Sequence, residues 1–266
     1  MSRIRITITL KNELLKCVDA LVDGTDIKNR SHAIESILAK EFASQRIRKA
    51  VILAGGRGVT VPNRKEKVSR SLVDYEDKPF IESILAWLKA EGLEEAIVSA
   101  GDFAAGIKMR IGDGGKAGLA VSYLPKDEGT ASVLKLLMNS MDETFLMVNG
   151  DVLSNMDLEE MFDFHKRCKA VCTVGMISAQ QPASFGNIVL RGNRIVDFIE
   201  KPRAGEEESY LVNAGIYIME PEIFNLVSPR FASLEKDLFP AMAKAGKLCG
   251  YYIHDKWFRL DGVDHR

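Results

Sequence analysis

Paired cysteines and clustered histidines are what this sequence lacks. Cys17, Cys168, Cys172 and Cys249 form no CxxC pair, and His32, His165, His254 and His265 fall at no ligand spacing. Neither a zinc site nor a disulfide framework is expected, and no role is assigned to the histidines. The thiols read as buried free groups in a reducing cytosol. No apolar run approaches the roughly 18 residues a membrane span needs, and no basic segment followed by an apolar stretch opens the chain. A soluble, cytoplasmic chain with no membrane partner is therefore expected. Internal repeats and low-complexity segments are also missing, and Met138, Met141, Met147, Met156 and Met161 read as core filler.

What is present is unevenly charged. The 266 residues carry a formal net charge of −1, yet residues 1–49 hold ten Lys/Arg against six Asp/Glu while residues 50–266 hold 26 against 31. The length suits a large domain preceded by a small one. A polar connector near residues 43–48 sets the expected division at 1–45 and 49–266.

The first segment, "SRIRITITL", alternates strictly, with Ile4, Ile6, Ile8 and Leu10 on one face and Arg3, Arg5, Thr7 and Thr9 on the other. That is a strand pattern with no partner strand after it. "NELLKCVDALVDG" instead spaces Leu14, Leu15, Val18, Leu21 and Val22 as a helix stopping at Gly24, and Asn29 or Ser31 is placed to cap a second helix bearing Ile34, Ile37, Leu38 and Phe42. A lone strand leaves its backbone groups unpaired, so two copies pairing antiparallel about a two-fold axis would complete the ladder and bury the isoleucines. Over residues 2–44, including "RITITL" and "NRSHAI", the chain resembles the ribbon-helix-helix family of DNA-binding proteins. The resemblance implies a homodimer held by this strand, with Arg3, Arg5, Thr7 and Thr9 facing DNA bases. A dimerising device with a solvated polar face is the other reading.

From Lys49 onward, apolar runs alternate with amphipathic stretches: "KAVILA", a helix from Pro79 to Glu91, "EAIVSAG", a helix over 104–110, "GLAVSYL", a helix from Thr130 to Asn139, and "TFLMVNGD". The alternation predicts an α/β fold, a Rossmann-like, mostly parallel sheet with helices on both faces. Ligands of such folds sit at the carboxyl ends of the strands, where "AGGRG" and "NGD" fall.

Several ordered motifs accompany these elements: "VILAGGRG", "KPFI", "DEGTASVL", "VNGDVL", "FIEKP", "YLVNAGIYIMEPEIF", "ASLEKDLFPAMAKAGKLCGYY" and "WFRLDGVD". Together, over about residues 49–264, they resemble the sugar-1-phosphate nucleotidyltransferases, or NDP-sugar pyrophosphorylases. That resemblance implies an enzyme joining a nucleoside triphosphate and a sugar 1-phosphate into an NDP-sugar with release of pyrophosphate. It places Ala54, Gly55, Gly56, Gly58, Gly129 and Thr130 at the nucleotide, and Glu200, Lys201 and Asn213 at the sugar phosphate. It makes Asp151 and Asp261 ligands of Mg²⁺, and Arg70, Asp151 and Lys201 the catalytic groups. No left-handed β-helix or acyltransferase domain, carried by some members, is expected after Asp261.

The opening loop departs from the pattern. The family's GGxGTR reads Gly55-Gly56-Arg57-Gly58-Val59-Thr60, so its arginine is missing, and the family's Pro-Lys reads Ser69-Arg70. Arg70 keeps a charge where the lysine would be, and Arg57, Arg64 and Lys65 are further cations nearby in sequence. Two readings stay open: an active transferase, or a DNA-binding regulator whose body only senses a nucleotide or nucleotide sugar. Retention of Asp151, Asp261, Glu200 and Lys201 favours the enzyme.

Overall fold

Helical spacing at the start of the chain produces α1 (Asn12–Ala20) and α2 (Arg30–Ala43). The computed structural model describes residues 6–43, 46–56, 58–60, 66–126, 129–260 and 263–265. The chain divides into two units, Met1–Arg46 and Ile47–Arg266. In the first unit the Asp23 carboxylate accepts from the backbone N–H groups of Thr25 and Ile27, turning the chain after α1. Asn29 caps α2 by accepting from the His32 N–H at 3.0 Å. Arg30 forks onto Asp19, with Nη2 at 2.8 Å from Oδ2, and ties the helices together.

Of the expected N-terminal strand, the part from Ile6 on is not formed among the described residues. Residues 6–11 carry no regular structure, as an extended segment must when it has no ladder partner. Arg3 and Arg5 lie outside the described residues. Ile6 is 71% exposed, and Ile8, Leu14, Leu21, Ile37 and Leu38 are exposed with it, while Val18 and Ala33 are buried.

The second unit is built from β1 (Lys49–Leu53), the short hairpin β2 (Asp74–Tyr75) and β3 (Lys78–Pro79), α3 (Phe80–Ala90), β4 (Glu95–Ser99), α4 (Ala104–Ile111), β5 (Ala120–Tyr123), α5 (Thr130–Leu137), β6 (Phe145–Asn149) and β7 (Val152–Ser154). It continues with α6 (Leu158–Cys168), β8 (Cys172–Ser178), β9 (Gly186–Arg191), β10 (Arg194–Glu200), β11 (Leu211–Met219), α7 (Phe239–Lys244), β12 (Leu248–Tyr252), β13 (Trp257–Arg259) and β14 (Val263–His265). Nine strands form one sheet in the order β5-β4-β1-β6-β11-β8-β12-β10-β9.

The sheet is mixed, which corrects the expectation of a mostly parallel one. β5, β4, β1 and β6 are parallel neighbours, and so are β8 and β12, but β6–β11, β11–β8, β12–β10 and β10–β9 are antiparallel. No crossover helix separates β8, β9, β10 and β11, and without one neighbouring strands can only reverse. β13 pairs with β7 on one side and β14 on the other in a separate three-stranded sheet.

Side-chain alternation along β1 splits the core between the two faces. Ala50 and Ile52 join Phe80, Ile84 and Leu88 of α3, whereas Val51 joins Leu134 and Leu137 of α5 and Phe239 of α7. Met141, Met147, Met156 and Met161 are core residues as expected, but Met138 is exposed. Cys172 and Cys249 are buried, while Cys17 is exposed against expectation.

Candidate functional site

A cavity of about 650 Å³ opens at the carboxyl ends of β1, β4 and β6. Its floor is the loop after β1, and the loop after β6 closes on it. The N–H of Gly150 donates to Leu53 O at 2.9 Å, and a Cβ on Gly150 would lie 2.8 Å from Ala54 Cα. Only glycine permits that approach, and it brings Asp151 to the wall of the cavity.

Ser69 fixes the next part of the wall. It is buried, its hydroxyl donates to Ala54 O at 2.7 Å, and its Oγ accepts from the Ser71 N–H, capping the short turn Arg70–Leu72. Reciprocal backbone bonds of 2.8 and 3.0 Å join Val59 to Val68, so Val59 serves a bridge here, one residue before the place where the resemblance would have an arginine. Held this way, Arg70 reaches across the cavity, with Nη1 3.0 Å from Asp151 Oδ2. Its guanidinium remains about half exposed, while Asp151 is mostly buried.

The far wall joins residues a hundred positions apart. Thr130, at the start of α5, donates to Glu235 Oε2 at 3.1 Å and accepts from the Leu234 N–H at 2.9 Å. Ahead of it Gly129 sits at φ +127°, and a Cβ there would meet Ala232 O at 2.4 Å. Both polar functions of the Thr130 hydroxyl are thus used within the chain, which makes it part of the wall's frame.

The structure brings Ala54, Gly55, Gly56, Arg70, Gly129, Thr130 and Asp151 around one cavity, but not Glu200, Lys201 or Asn213. Lys201 is exposed in the left-handed region at φ +48°, with Nζ 3.9 Å from Glu200 Oε1. Burial, and next the carboxylate of Glu235, push the Glu200 carboxyl above its usual range. The amide of Asn213 bonds inward, donating to Tyr217 Oη at 2.8 Å and accepting from the Gly215 N–H at 2.9 Å, across the irregular register of β11 against β8. Gly58 sits at φ +63° beside Phe103 and is not on the wall. Asp261, Arg57, Arg64 and Lys65 lie outside the described residues.

Ser69, Ser71, Asp102, Lys126, Asn149 and Glu235 also line the cavity, and sequence reasoning assigns no site role to any of them. Asn149 and Glu235 stood inside quoted motifs. Ser69 and Ser71 flank Arg70, and that flanking polar pair was the only signal for them.

Among the described residues no three metal-ligating side chains form a cluster. Asp102, Asp151 and Glu235 are the carboxylates on the cavity wall among the described residues. A Mg²⁺ ion keeps most of its waters and is held by one or two carboxylates plus substrate phosphates, so this donor set fits such an ion.

Residues 49–261 match the family described as nucleotidyl transferase. A mannose-1-phosphate guanylyltransferase of Mycobacterium tuberculosis is 29% identical over 218 residues, 78% of this chain and 59% of that protein. Mannose-1-phosphate guanylyltransferase 1 of Arabidopsis thaliana is 29% identical over 229 residues, covering 80% of this chain and 61% of that one. The chain thus spans about three fifths of the length of these curated relatives. Among solved structures, HddC from Yersinia pseudotuberculosis complexed with GMP-PN superposes with a TM-score of 0.67 at 20% identity, over 80% of this chain and 94% of that one. At that identity the likeness speaks to the fold.

Proposed function

Because this chain belongs to the nucleotidyl transferase family, we propose that it joins a nucleoside triphosphate to a sugar 1-phosphate, releasing pyrophosphate, and that the pair is a guanosine triphosphate and a hexose 1-phosphate such as mannose 1-phosphate. An oxygen of the sugar phosphate attacks the α-phosphorus in line as the bond from that phosphorus to the β-phosphate bridging oxygen breaks. Both reactants are anions, so alignment and charge neutralisation are the work required. The observation that carries the reading is the convergence of Arg70 and Asp151, 81 positions apart, on the cavity floored by Gly55 and Gly56.

In this reading the N–H groups of Gly55 and Gly56 face the phosphates, helped by the N-terminus of α5 behind Gly129 and Thr130. Arg70 turns from Asp151 onto the phosphate oxygens and supports the charge that develops there. Asp151 and Asp261 would hold Mg²⁺, which would supply charge neutralisation to the triphosphate. Lys201 and Glu200 receive the sugar phosphate, with Lys201 as its cation, and Asn213 orders the backbone of β11 next to them.

The first unit, residues 1–45, is a ribbon-helix-helix module that pairs with a second copy through the strand around Ile6 and Ile8. The exposure of both isoleucines beside two formed helices supports it. Arg3, Arg5 and Thr7 would then face DNA.

A pyrophosphate-release screen over nucleoside triphosphates and sugar 1-phosphates tests the reaction. Release is expected only with both substrates present. Nucleotide binding without release would replace the enzyme with the regulator that senses a nucleotide.

A further inference from the structure

The cavity has a polar corner that the transfer chemistry leaves without a task. Asp102 follows β4 in the turn Gly101–Phe103, and Lys126 follows β5, so the two stand on neighbouring parallel strands. Their side chains meet, with Nζ of Lys126 2.6 Å from Oδ1 of Asp102, and both remain exposed on the cavity wall. An ion pair this exposed adds little to stability, which leaves ligand contact as the better account of a carboxylate and an ammonium at that edge.

Strand order says which part of the substrates comes there. The glycine loop follows β1, the residues proposed for the sugar phosphate lie on β10 and β11, and the sheet runs β5-β4-β1-β6-β11. With the triphosphate over β1 and the sugar beyond β6, the base is left with β4 and β5. Gly101 there packs against Gly55, an ideal Cβ on it falling 3.7 Å from Gly55 Cα, so two residues without side chains meet beside the corner and leave room for a planar ring.

We propose that Asp102 and Lys126 read the base and select guanine; this rests on the transferase reading above. A carboxylate takes two hydrogen bonds side by side, and an ammonium beside it gives one. Guanine's pairing edge carries N1–H and the 2-amino group next to the O6 acceptor, which meets that set in full. Adenine and cytosine each offer a single donor group on that edge, and uracil and thymine offer one N–H between two acceptors. Against any of these, a carboxylate oxygen is left facing an acceptor or nothing, a mismatch that discriminates strongly.

The test is equilibrium titration of GTP, ITP and UTP, with Mg²⁺ present, onto wild type, Asp102→Ala and Lys126→Met. ITP differs from GTP only in lacking the 2-amino group. Wild type should bind GTP about tenfold or more tightly than ITP, and Asp102→Ala should bring the two within about twofold of each other. Lys126→Met should weaken GTP and ITP by equal factors, because both keep O6. A GTP-to-ITP ratio unchanged in Asp102→Ala overturns the proposal, as does a wild type that binds UTP as well as GTP. Pyrophosphate release is scored separately, so a protein that reads guanine but transfers nothing removes the reaction and keeps the reader.

Discussion

The two units of this chain handle apolar surface in opposite ways. In residues 47–266 the nine-stranded sheet is covered on both faces, and residues such as Ile52, Phe80, Phe145 and Tyr217 are fully buried. In residues 1–46 Ile6, Ile8, Leu14, Leu21, Ile37 and Leu38 remain exposed although both helices are formed. A segment of that size cannot build a sufficient core alone. One unit buries its apolar residues and carries the cavity; for the other we propose a second copy as partner, which its strand pattern fits. Chemistry and assembly should therefore be separable by mutation.

The largest expected effect breaks the chemistry and spares the assembly. Asp151→Asn keeps side-chain volume and deletes the charge opposite Arg70, so turnover should fall by about a thousandfold, on the order of 4 kcal/mol. The dimer and the melting temperature should not change. Pyrophosphate release and light scattering on the same preparation check both halves.

Ile6→Lys is the converse. It puts a charge into the expected strand pairing, and light scattering should report a monomer, or circular dichroism an unfolded first unit, while pyrophosphate release per chain persists. An intact dimer would remove the comparison's premise.

Acid stability distinguishes the units again. Burial works to raise the Glu220 carboxyl, but hydrogen bonds from His165, Lys166 and Thr144 outweigh it and hold it at about 2. Its folded value is below the ordinary 4.5, so its contribution is complete above that pH and is lost as the pH falls towards 2. Allowing for partial exposure, Glu220→Gln should cost about 2 kcal/mol at neutral pH and flatten the acid limb of the unfolding profile. Denaturant unfolding at several pH values measures it. The smallest effect concerns DNA: if Arg5 reads a base, Arg5→Ala should weaken specific binding by about 1–3 kcal/mol in a gel-shift titration.

Much of this was legible in the sequence where local pattern and structure share a cause. β1, β4, β5 and β6 and the helices between them stand where alternating apolar runs put them, and Asn29 caps α2 as its position suggested. The antiparallel half was not legible, because strand direction there depends on missing crossovers and no strand encodes it. Of the residues that line the cavity, Gly55, Gly56, Gly129, Arg70 and Asp151 stand at positions the resemblance marks, whereas Gly58 does not reach the wall. Ser69 was missed because its role is a hydrogen bond to Ala54, fifteen residues away. Glu235 was missed because its partner, Thr130, is 105 positions off. Contacts of that kind have no signature in a single sequence.

We propose that the opening loop, though it lacks the arginine of its pattern, is a working site rebuilt around Arg70. Steady-state pyrophosphate release by Arg70→Ala, beside wild type and Arg70→Lys, tests it most directly. For Arg70→Ala kcat should fall on the order of a hundredfold, with partial recovery in Arg70→Lys, which keeps a point charge without the fork. Turnover by Arg70→Ala at the wild-type rate would contradict it.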